Sequence, residues 1–150
     1  MPFAAGNEFW KLRSKHGRDA IFSDANKLYE AACEYFQWCV DNPLYSTEFL
    51  GKDAEERLVP KTRAFTMTGL CLYLDVNTLY FRDFKESELG KTNDFSQIIA
   101  RIENVIYSQK FTAAAAGLLN ANIIARELGL SEKQDITSKT ITVTVQDEED

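Results

Sequence analysis

Residues 70–84 read LCLYLDVNTLYFRDF, and in this stretch Leu70, Cys71, Leu74, Val76, Phe81 and Phe84 fall where two short helices would bury a small shared core. Leu70 and Leu74 lie one helical turn apart, Val76 follows a tight turn, and Phe81 and Phe84 repeat at helical spacing. Cys71 supplies the small side chain needed where the helices touch. This is the pattern of a helix-turn-helix, in which one helix braces the DNA backbone and the second enters the major groove. Asp75 stands where the turn usually has glycine, and aspartate tolerates the left-handed conformation better than most residues. Helix pairs of this length also occur as ordinary core, so spacing alone leaves both readings open.

Upstream, Ser23 or Asp24 can cap a helix running to about Asp41, with Leu28, Ala32, Tyr35 and Cys39 on one face and Asn42-Pro43 ending it. Residues 45–59, interrupted by Gly51-Lys52-Asp53, read as a β-hairpin or an irregular exposed arm, to which no function attaches. Lys11, Arg13, Lys15 and Arg18 form a basic stretch around His16 that can meet phosphates. A solvated helix face explains them equally well.

Downstream, residues 86–93 make a polar break. Phe95, Ile98, Ile99, Ile102, Val105 and Ile106 then form the apolar stripe of a long helix. A second helix is expected from about Thr112 to Leu128, where Ala114, Gly117, Leu118, Ala121, Ala125 and Leu128 make a stripe of mostly small residues, with Gly129 as its stop. Small side chains let helices approach closely, so this pair suits a tight antiparallel hairpin or packing against another copy. Ile98, Ile102, Val105, Ala114, Gly117 and Ala121 are the candidate oligomerisation residues on these helices. Residues 140–145 alternate threonine with Ile141, Val143 and Val145, the pattern of a strand with one buried face. Its backbone groups need a partner. Either the strand adds to the 45–59 hairpin, or equivalent strands of several subunits pair into a barrel without edges. The expected fold is thus mainly α. It has a helical region over 1–92 containing the helix-turn-helix-like unit (66–85), oligomerisation helices over 93–130, and a barrel strand with an acidic tail over 131–150.

The chain's 150 residues suit one domain burying about 68–70% of its unfolded surface. Cys33, Cys39 and Cys71 form no C-x-x-C pair and read as buried free thiols in a reducing compartment. No apolar run approaches the roughly 18–20 residues needed to cross a bilayer. The formal net charge is −6, of which Asp147, Glu148, Glu149 and Asp150 supply four, leaving −2 for residues 1–146. With His16 as the single histidine, neither a multi-histidine metal site nor a buried catalytic triad is expected. Gly90-Lys91-Thr92 imitates the end of a phosphate loop, but Lys85 occupies the position of the required glycine. No enzyme, cofactor or metal site is expected. Trp10 and Trp38 sit at helix-compatible spacing and suit core or subunit contact better than base stacking.

A longer set of residues carries a resemblance. It includes Gly6-Asn7, Phe9-Trp10, Arg13-Ser14, His16-Gly17-Arg18, Glu34-Tyr35-Phe36, Trp38, Asn42-Pro43-Leu44, Thr66, Thr68-Gly69-Leu70 and Asp75-Val76. Its densest part is Val105-Ile106-Tyr107, Gln109-Lys110-Phe111, the run Leu118 to Arg126, and Leu128-Gly129-Leu130. Over residues 6–130 the chain resembles the small terminase subunits, or DNA-packaging proteins, of tailed double-stranded DNA phages, in the headful-packaging, short-tailed branch. The resemblance implies a ring of about eight to twelve subunits, nine as the expected number, acting in the host cytoplasm. Such a ring recognises the packaging-initiation site on viral DNA and recruits the large terminase subunit, which carries the ATPase and nuclease. It also gives the solitary strand its partners, because rings of this family carry a barrel of C-terminal segments. A ring can sum weak phosphate contacts into useful avidity. DNA contact is therefore expected at Lys11, Arg13, Lys15 and Arg18 for phosphates, with Asn77, Thr78, Arg82 and Lys85 on the second helix. Relatives can carry a basic segment after the barrel, whereas residues 146–150 here are acidic, which moves DNA contact away from the tail. The competing readings are a twofold phage transcriptional regulator using the same helix-turn-helix and a purely structural head-completion ring.

Overall fold

The computed structural model describes residues 12–130. The described residues form six helices and one two-stranded antiparallel sheet: α1 (Arg18–Ile21), α2 (Ala25–Asp41), β1 (Leu44–Leu50), β2 (Glu55–Lys61), α3 (Met67–Tyr73), α4 (Thr78–Glu86), α5 (Asn93–Ala115) and α6 (Ala121–Glu127). The fold is mostly helical. The strand expected at 140–145, with Ile141, Val143 and Val145 and the barrel built from it, lies outside the described residues, as does the acidic tail.

Local chemistry sets most helix starts. Asp24 accepts a hydrogen bond from the Asn26 amide at 2.9 Å, Thr66 from Gly69 at 2.9 Å, and Asn77 from Tyr80 at 2.7 Å, each capping a first turn whose amides have no partner inside the helix. The arm resolves as a regular hairpin, paired from Leu44 with Lys61 to Leu50 with Glu55. At its root, the Gln109 side chain of α5 accepts from the Phe65 amide at 3.0 Å and donates to the Arg63 carbonyl at 3.2 Å, bonding to the chain as a neighbouring peptide would.

One hydrophobic core joins α1 to α5. Leu28, Ala31, Ala32, Tyr35 and Cys39 of α2 meet Leu70 and Cys71 of α3, Leu74 just beyond it, Phe81 of α4, and Phe95, Ile99, Ile102 and Ile106 of α5. Val76 and Phe84 are partly buried against the same cluster. Phe84 stands edge-on between Phe22, at 4.8 Å, and Phe95, at 5.1 Å, tying α4 to both neighbours. Gly69 lets α3 approach α2, since a Cβ there would come within 2.4 Å of the Tyr35 hydroxyl.

Two expectations fail in the helical half. The second helix does not run from Thr112 to Leu128: α5 itself continues to Ala115, the chain turns at Gly117 with φ +76°, and α6 starts only at Ala121. The Leu118 and Gly117 amides fold back onto the Ala113 and Ala114 carbonyls, closing α5 with a left-handed glycine cap. Asn120 then caps α6 through the Ile123 amide at 3.1 Å. Gly129, with φ +72°, ends α6 as expected. The other failure is Cys33, which is exposed; Cys39 and Cys71 are buried, and all three thiols are free.

Candidate nucleic-acid interface

The turn between α3 and α4 is built around Asp75. Its φ of 61° is left-handed, its amide bonds to the Leu72 carbonyl at 3.2 Å, and the Val76 amide reaches the Cys71 carbonyl at 3.0 Å. These bonds close α3, and Asn77 immediately opens α4, so the reversal takes four residues.

Residues 12–17 lie across this turn. The Ser14 amide donates to the Tyr73 carbonyl at 3.1 Å, and the Ser14 hydroxyl donates to Glu34 of α2 at 2.8 Å. The same carboxylate oxygen accepts from the Tyr73 hydroxyl at 3.2 Å and the Lys15 amide at 3.4 Å. Burial, reinforced by the Glu34 charge, pushes the Tyr73 phenol up to about 12, so it remains a donor at neutral pH. Glu34 thereby fastens the basic segment to α2 and α3 together.

That fastening decides where the basic residues lie. The Arg13 guanidinium is 3.2 Å from the Asp75 carboxylate, and Arg18 sits over the Tyr80 ring at 5.9 Å. Arg13 thus lies on the turn before α4, and Arg18 against its first turn, where the helix begins with its positive dipole end. Arg82 is exposed on the first turns of α4. Lys15 instead faces α2, 3.9 Å from Glu30 and 3.8 Å from Glu34, and Lys85 is 2.7 Å from Glu103 of α5. Lys11 lies outside the described residues. The Asn77 side chain serves as the α4 cap. Three participants escaped the sequence reading as site residues: Tyr80, Glu34, and Asp75 in its role as Arg13's partner. They lie more than ten positions from their partners, and no local periodicity reports such pairs.

The candidate oligomerisation residues divide. Ile98 and Val105 are half-buried against the core, Ala114 is half-buried, and Gly117 and Ala121 are exposed. Ile102 is fully buried within the chain. Among the described residues no cluster of His, Cys, Asp and Glu could hold a metal ion, and no helix is long and apolar enough to cross a membrane.

The geometry defines a small helical protein whose two-helix turn carries arginines at the opening of its second helix. Residues 17–136 match the family described as DNA-packaging protein gp3. The chain is also similar to the terminase small subunit of Salmonella phage P22, with 44% identity over 142 residues, spanning 93% of this chain and 85% of that protein. It belongs to this family of phage small terminase subunits, components of the DNA-packaging apparatus.

Proposed function

We propose that the chain is the non-catalytic, DNA-choosing part of a packaging machine in the host cytoplasm. It assembles into a ring of about nine copies, recognises the packaging-initiation site on viral DNA and recruits the large terminase subunit. One observation carries the DNA reading: Arg13 and Arg18 are held at the opening of α4, where a second helix presents its first residues to base edges. Asn77, Thr78 and Arg82 continue that surface, while Asp83 and Glu86 further along α4 repel phosphate and confine contact to the first turns. Lys15, facing α2, and Lys85, facing α5, are peripheral to it. The ring supplies avidity that one subunit of this charge lacks.

The test is a salt titration of duplex DNA binding, using fragments of viral DNA that span the packaging-initiation region, with the Arg18→Ala/Arg82→Ala double variant beside the parent. Losing two phosphate contacts per engaged subunit should lower affinity and flatten the slope of log K against log salt by roughly 2 for each such subunit. An unchanged slope would move the DNA surface elsewhere. A solution mass near nine times the 17.1 kDa chain supports the ring, whereas a dimer favours the twofold regulator.

A further inference from the structure

The β1–β2 hairpin has no part in the site described above, yet it exposes more large apolar surface than any helix of similar length. Its register places Tyr45 with Pro60, Thr47 with Leu58, and Phe49 with Glu56 on one face. Tyr45, Phe49 and Leu58 are 55%, 68% and 69% exposed. The opposite face is mixed: Lys61 pairs with Glu48 at 2.9 Å beside Arg57 and Glu55, and Leu44 and Leu50 stand at its two ends. A two-stranded hairpin is marginal in water by itself, and a contiguous apolar face of this kind marks a contact surface.

A second apolar surface, open among the described residues, lies where α5 meets α6. Phe111, Leu128 and a floor of four alanines, Ala114, Ala115, Ala121 and Ala125, line an open cavity of about 210 Å³. Phe111 is half-exposed and stacks on Tyr107 at 6.2 Å, extending the patch along α5. The alanine floor leaves a hole of the kind a single bulky side chain fills. The charges beside the two surfaces are also complementary: Glu56 on the hairpin and Arg126 on α6 form no ion pair among the described residues.

We infer that the hairpin of one copy docks on the α5–α6 groove of the next, with Phe49 entering the alanine-floored hole and Glu56 meeting Arg126. The inference rests on the self-assembly proposed above and names its surfaces. Because the projecting face and the groove are different parts of one chain, a copy whose groove is filled still offers its hairpin to a third, and the contact we infer repeats head-to-tail. Repetition of such a contact gives a ring where its rotation closes, as the self-assembly proposed above requires.

Site-specific photocrosslinking tests it, with a benzophenone amino acid replacing Phe49 in the full chain and light scattering run in parallel on the parent. The expected result is a ladder of covalent multimers whose adducts map to residues 107–130 of the neighbouring chain. Adducts between two hairpins, adducts within one chain, or no adducts from an assembled protein would overturn the docking while leaving assembly intact. A parent that stays monomeric would overturn assembly itself. As a second reading, Phe49→Lys and Ala121→Arg variants, each defective in assembly and helical by circular dichroism, should form a 1:1 dimer when mixed, because each keeps the surface the other lacks. Failure of that pair to associate would also overturn the docking.

Discussion

Asp75 holds a left-handed backbone and an ion pair at the same time, and the two have very different weights. A β-branched residue at its φ of 61° would meet the full steric penalty, so Asp75→Val should cost about 1–2 kcal/mol in urea denaturation. Asp75→Gly relieves the backbone but removes the Asp75–Arg13 ion pair, an exposed pairing worth about 0–1 kcal/mol, and should leave stability within about 1 kcal/mol of the parent. The turn conformation was legible from Asp75 and its neighbours, because left-handed tolerance is a local property. The Arg13 contact was not, because it joins residues far apart in the chain. Glu34 is a similar case: nothing in the α2 pattern distinguishes a carboxylate that accepts from Ser14 and Tyr73 from one facing water.

Between elements, the seam of α2 and α3 is held by two tyrosines working in opposite senses. The Tyr35 hydroxyl accepts from the Thr66 amide at 3.2 Å, and Tyr73 donates to Glu34. Burial, with lesser help from neighbouring groups, pushes both phenols up to about 12. The folded chain therefore retains protons that the unfolded chain sheds near pH 10, and unfolding should be favoured as pH rises from about 10 to 12. Circular dichroism followed together with tyrosinate absorbance should show helix loss and phenol ionisation in one transition. Two separate transitions would mean that the seam does not depend on these protons. At this scale the pattern of apolar positions found α2, the α3–α4 unit and the start of α5, and left residues 45–59 open between a hairpin and an irregular arm. It misplaced the α5–α6 boundary because Ala113 to Ala116 favour helix and an interior glycine costs only about 1 kcal/mol. Asn120, offering a new cap three residues beyond Gly117, settles the break.

For the whole molecule, the excess negative charge is concentrated at one end, while the candidate DNA surface sits at the α4 opening. Removing residues 147–150 subtracts four negative charges and changes none of the residues assigned to that surface. DNA affinity of the truncated chain should equal or exceed that of the parent in a gel-shift titration at fixed salt, and a marked loss would contradict the assignment of contact to α4. Family membership was legible because its matching residues span most of the chain. The subunit interface was less so, because a helical stripe does not say which side of it meets the chain's own core, where Ile102 lies, and which a neighbour.

The Gln109 amide makes the base of the hairpin a mounted lever rather than a loose flap. Each strand has seven residues, so the arm reaches roughly 23 Å beyond its mount. A tilt of about 10° at the amide would sweep the tip by about 4 Å on that length, as far as a side chain is wide. Gln109 on α5, together with the Arg63 guanidinium on the Asn42 carbonyl at 2.8 Å, therefore sets the bearing of everything the arm can touch. A small rotation there would steer a contact far from the site of the change.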